Sequence, residues 1–151
     1  MNRSFKVILG LLFFFTLTGC FGENYDFSPP TVSVINPNGS NEQEELAEAN
    51  IEWEYDKKYN KETEDLVSLA RKQNKMYFNP GQRVEISMEN GDFNPNGIMV
   101  SVWQNEKKID LKYQKNDQSF YLPKEKGEYI IVVDLHADSG DAQYVGNIVM
   151  Q

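Results

Sequence analysis

The residue types able to do chemistry in this chain are few. One histidine, His136, and one cysteine, Cys20, occur in 151 residues. Asp134, His136 and Asp138 alternate along what reads as one strand face, with Asp141 just past the Ser139-Gly140 turn. An imidazole with two or three carboxylates would suit a weak divalent-cation site; a solvated strand end with an ion-pairing histidine is the plainer reading. Asp92, Asn94 and Asn96 precede Gly97 in the order that opens a calcium loop, where alternating oxygen side chains and a glycine turn wrap a hard cation. The twelfth position of such a loop should supply a bidentate Glu, and here it is Trp103. A second Asn-Pro-Asn-Gly, at residues 36–39, favours turn chemistry used twice. No metal and no cofactor is therefore expected, with these two sets as the candidates if a metal does bind.

Catalytic sets are harder to assemble. A nucleophile needs a positioned base, and no motif surrounds any Ser or Thr near the single imidazole. A glycosidase-like carboxylate pair must face across a cleft, whereas Glu44-Glu45 and Glu52 with Glu54 read as solvent faces. No catalytic residue is assigned, and the chain is expected not to be an enzyme. With one cysteine no internal disulfide can form. Twenty-three acidic against 15 basic residues, a net charge of −8, argue against nucleic acid, whose phosphates are neutralised by Lys and Arg. Trp103 and Met99 fall opposite the apolar side of their strand. They are either exposed contacts for a partner or a sugar, or they lie beneath the one helix.

The lone cysteine has a telling position. Asn2, Arg3 and Lys6 form a short basic start, the apolar run Val7 to Phe15 follows, and Leu17-Thr18-Gly19-Cys20 closes it. That order is a secretory signal peptide, too short for a permanent span. Its end resembles the lipobox of bacterial lipoproteins, and the resemblance implies cleavage before Cys20 and lipid on its sulfur. Two or more acyl chains hold a protein firmly, since each buried methylene contributes about 0.8 kcal/mol. The expected location is the extracytoplasmic face of the cell membrane, reached through lipid on Cys20. Loss of residues 1–19 removes Arg3 and Lys6, leaving 13 basic against 23 acidic residues and a charge of −10. So acidic a body is repelled by anionic headgroups.

The elements that must position these residues follow from periodicity. Residues 20–30 read as the lipidated cysteine and a tether that ends in the stiff Pro29-Pro30 step, leaving one domain over 31–151. Thr31 to Ile35 is a short strand. Asn41 to Asn50 reads as a solvated loop, with a short helix capped by Asn41 as the alternative. Ile51, Trp53 and Tyr55 then share one face against Glu52, Glu54 and Asp56, the alternation of a half-buried strand. It recurs in Val84, Ile86 and Met88; in Ile98, Val100 and Val102; in Ile109, Leu111 and Tyr113; and in Phe120 with Leu122. Tyr129, Ile131, Val133 and Leu135 continue it, and Tyr144, Gly146 and Ile148, or the opposite register, close the chain, for seven or eight strands. Thr63 to Gln73 breaks the pattern: Thr63 suits an N-cap, and Leu66, Leu69 and Ala70 fall on one helical face.

Short antiparallel strands at this spacing predict a mainly β chain built as a sandwich, with one inserted helix over about 63–73. The opening, Pro29 to Gly39, resembles the first strand of bacterial immunoglobulin-like domains. Phe120-Tyr121-Leu122-Pro123 followed by Gly127-Glu128-Tyr129 resembles their end, and implies that Tyr129 is a corner residue bonding back to the backbone. The inter-sheet cysteine pair of antibody domains is missing and the helix is extra. The whole chain is similar to small lipoproteins of Bacillus-type bacteria, which implies location and fold but no activity. The expected function is that of a lipid-anchored envelope protein, a non-enzymatic binding or accessory module for a protein or an envelope polymer. The alternatives are a secreted-enzyme inhibitor or sensory accessory subunit on the same sandwich, or a metal-binding lipoprotein.

Overall fold

A computed structural model of the chain describes residues 28–39, 42–91 and 93–151. The signal peptide, Cys20, most of the tether, Asn41 and Asp92 lie outside the described residues. The strands are β1 (Thr31–Ile35), β2 (Gln43–Glu45), β3 (Ala47–Glu54), β4 (Lys58–Lys61), β5 (Lys75–Phe78), β6 (Arg83–Glu89), β7 (Pro95–Gln104), β8 (Lys107–Leu111), β9 (Ser119–Tyr121), β10 (Gly127–Ala137) and β11 (Gly140–Met150). One helix, α1 (Leu66–Arg71), stands between β4 and β5. No helix among the described residues is long and apolar enough to cross a membrane.

The strands form two sheets. The smaller runs β2-β1-β6-β9, and the larger runs β4-β3-β11-β10-β7-β8 with β5 as a seventh strand beside β11. Every pairing is antiparallel except β5 on β11. β3 and β5 share one edge of β11 in tandem: β3 takes Gly140 to Val145 and β5 takes Asn147 to Met150. The chain between these two parallel strands runs through β6 to β10, while α1 joins β4 to β5. The chain changes sheets at buried Leu46, whose N–H still donates to Val32 O at 2.8 Å while Ala47 already pairs with Val145.

The alternation that predicts the strands also selects the core. Trp53, Val84, Ile86, Val100, Val102, Phe120, Tyr129, Ile131, Val133, Leu135, Tyr144 and Ile148 are buried in one cluster, so the fold is a β-sandwich. Its buried tyrosines have bonded hydroxyls: Tyr129 donates to Glu125 O at 3.2 Å and Tyr144 to Pro30 O at 2.7 Å. Tyr144 thereby fastens the start of the domain to its last strand. Burial pushes its phenol far above the ordinary tyrosine range, helped by the negative charge of Glu48.

Three expectations need correction. Residues 42–50 are not a loop: Gln43–Glu45 pairs with β1, and β3 begins at Ala47. Their Glu-rich sequence hid this because the strands lie at or near sheet edges with polar side chains outward. The helix is shorter than 63–73, and its cap is Asp65, which accepts from Ser68 N–H at 2.9 Å. Thr63 instead donates its hydroxyl to Ala49 O and its N–H to Asn50 Oδ1, both at 2.8 Å, pinning the incoming chain to β3. Eleven strands form among the described residues rather than seven or eight; β4 escapes the pattern because all four of its residues are exposed. β5 escapes it because only Met76 and Phe78 turn inward.

A smaller apolar cluster covers the outer face of the large sheet. Ala49, Ala70, Ile130, Val132 and Val145 are buried there, with Leu66, Leu69 and Trp103 packed around them. α1 is the lid of this cluster, and burying side chains such as Ile130 and Val132 contributes about 1.5–3 kcal/mol each. This layer explains why β10 reads apolar on both faces from Tyr129 to Val133.

Candidate functional site

The helix covers only part of that outer face, and beside it lies a cleft of about 490 Å³, in the size range of small-ligand pockets. Strand register sets its floor. Trp103 of β7, Ile130 of β10 and Asn147 of β11 are direct cross-strand neighbours in one row, and Lys75 of β5 continues that row beyond the cleft. Asp65, Val67 and Arg71 of the helical segment form one wall, and Gln104, Asn105 and Glu106 of the β7–β8 turn form another.

Each wall is held by local structure. Gln104 pairs with Lys107 across a two-residue turn in which Asn105 (φ 47°) and Glu106 (φ 65°) are both left-handed. That is the pattern of the tight hairpin turn that favours Asn-Gly. Glu106 occupies the glycine position, at a cost of about 1 kcal/mol. Gly127 opens β10 at φ 147°, a conformation that side chains rarely adopt, and the flexible Gln104 amide occupies the space beside it. Trp103 is half-buried against the helix cluster, its Nε1–H donates to Ser101 Oγ at 3.3 Å, and the rest of its side chain lines the cleft.

The electrostatics are mixed. Glu128 at the rim is held below the usual carboxylate range by Lys75, whose ammonium bonds it at 2.6 Å and is raised in return. Arg71 forms no ion pair within 4 Å among the described residues, although its charge also helps to lower Glu128. Asp65 is engaged in capping α1. Asn147 is buried to 5% exposure, and its side-chain amide has no hydrogen-bond partner among the described residues.

The residues singled out for metal are placed differently. Asp92 lies outside the described residues. Asn94 donates its N–H and its side-chain amide to Asp138, at 3.0 and 3.1 Å, and Asp138 N–H donates back to Asn94 O at 3.2 Å. The two candidate sets thus meet through Asn94 and Asp138, which lock the loop before β7 onto the β10–β11 turn. The donated N–H of Asn94 lowers the Asp138 carboxyl. Asn96 is exposed in β7. Asp134 accepts from Gln143 at 2.7 Å, and His136 Nδ1 lies 2.6 Å from Asp141 Oδ1. Among the described residues no three His, Cys, Asp or Glu side chains stand together as a metal-binding group.

Of the two outer-face residues, Met99 is exposed (56%), whereas Trp103 is both partly covered by the helix layer and open to the cleft. Arg71, Glu106 and Asn147 were not legible as site residues. The available signal for Asn147 was a lone amide within the otherwise small and apolar Tyr144 to Met150. Comparison with known proteins adds no relative: no family model, curated protein or solved structure matches this chain.

Proposed function

We propose that the chain is a lipid-anchored, extracytoplasmic binding module of the cell envelope, with an immunoglobulin-like sandwich tethered through lipid on Cys20. The cleft beside Trp103 is its binding site. The lipobox-like Leu17-Thr18-Gly19-Cys20 supports the anchor. The observation that carries the binding role is the cleft itself, lined by the Trp103 indole, the Asn147 amide and the Arg71 guanidinium, the last two without a side-chain partner among the described residues, on a framework of paired strands. Such a framework holds the lining groups with little ordering cost on binding, which suits recognition. The role needs no chemistry at the site, in keeping with a non-enzymatic module.

Affinity capture from detergent-solubilised membranes tests this reading. Wild-type protein should retain an envelope protein or polymer that Trp103→Ala, folded by circular dichroism, loses. Capture that is indifferent to Trp103 would overturn the assignment of the cleft.

A further inference from the structure

We infer that the Trp103 cleft takes a ring of an uncharged, N-acetylated glycan, stacked on the indole and held by the Asn147 amide and the Glu106 carboxylate. The inference rests on the binding-module reading and narrows its ligand.

Asn147 is the first ground. Its side chain is 5% exposed, makes no hydrogen bond among the described residues, and opens to the cleft it lines. Here it lies beside Ile130 on a face otherwise sealed by Ala and Val, and it lines the cleft. Its free N–H and C=O complement a group that offers one of each, which an acetamido substituent does.

Glu106 is the second ground. It sits at φ 65° in a turn that glycine would close without strain, and it lines the same cleft. Its carboxylate forms no ion pair within 4 Å among the described residues and can accept hydrogen bonds from ring hydroxyls.

Charge and shape exclude the rivals. Lining the cleft are the carboxylates of Asp65, Glu106 and Glu128 against the guanidinium of Arg71, with Lys75 paired to Glu128, so the site has no excess of positive charge to hold a phosphate-rich polymer. An extended peptide would need an open strand edge, yet the floor strands are already paired on both sides at Ile130 and Asn147. A flat ring bearing hydroxyls matches an indole face flanked by amides and carboxylates.

The test is titration calorimetry on the full-length protein in detergent micelles, with the tetramer of β-1,4-linked N-acetylglucosamine as the probe. The unacetylated glucose tetramer and glycerol-phosphate polymer serve as comparisons. The acetylated tetramer should bind, and the glucose tetramer should bind at least about tenfold more weakly, the loss expected for one or two hydrogen bonds. Asn147→Val and Glu106→Gly should each weaken the acetylated tetramer by about tenfold while leaving the melting temperature unchanged or higher. No heat with the acetylated tetramer, or equal affinity in both variants, would overturn the inference. If Trp103-dependent capture from membranes nevertheless yields a protein, the binding module stands and the glycan fails. If neither experiment shows Trp103-dependent binding, both readings fail.

Discussion

Tyr144 carries more of the fold than its place near the chain end suggests. Its hydroxyl is buried and satisfies Pro30 O, whose own residue is buried, so Tyr144→Phe leaves that carbonyl without its partner. The expected loss is about 1–2 kcal/mol, read by urea denaturation. The same phenol makes stability depend on alkaline pH. Its folded pKa is raised above the unfolded value near 10, so its contribution is complete below about pH 10 and drains away above it. Between pH 10 and 12 wild-type stability should fall, with up to about 1.4 kcal/mol per pH unit due to Tyr144, and Tyr144→Phe should flatten that slope. An identical slope in the variant would count against the buried phenol. Tyr129→Phe loses a bond to the carbonyl of exposed Glu125, so about 1 kcal/mol is expected, checked in the same denaturation series. Sequence resemblance singled out Tyr129 because of its place after Gly127-Glu128. Nothing local marked Tyr144, because its partner is 114 residues away.

At the level of elements, the β10–β11 hairpin is the frame on which the cleft is built, and its turn is sterically demanding. Gly140 has φ 134°, and a Cβ there would run into Glu52 O of β3. Gly140→Ala should therefore cost about 1–3 kcal/mol and lower the melting temperature by several degrees, since both backbone strain and the β3 pairing suffer. A loss below about 0.5 kcal/mol would show that the strands can separate at this point without penalty. Most strands were legible because they bury one face and alternate accordingly: Val84 with Ile86 and Ile51 with Trp53 are examples. β2 and β4 were not, because an edge strand with polar side chains carries no such period. The helix was legible from Leu66, Leu69 and Ala70, but its start was not. Thr63 and Asp65 are both good caps, and the choice was settled by the bonds of Thr63 to Ala49 and Asn50 on another element. The cleft was half legible for the same reason. Alternation placed Trp103 outward, while the neighbours that make it one wall of a site come from β11 and the β7–β8 turn.

At the level of the whole molecule, the described residues form a sandwich whose larger sheet is covered by apolar layers on both faces, and the proposed cleavage before Cys20 would leave the chain with a charge of −10. On the proposed anchor, repulsion from anionic headgroups would keep such a body off the bilayer and leave the cleft free to meet a ligand. All of this depends on the chain being held through its one cysteine, so the most direct measurement is fatty-acid labelling with cell fractionation of wild type and Cys20→Ala. The wild type should carry label and pellet with membranes. Cys20→Ala should carry none, and should either appear in the medium or persist as an uncleaved precursor. Label and membrane association unchanged in Cys20→Ala would contradict the anchored module at its root.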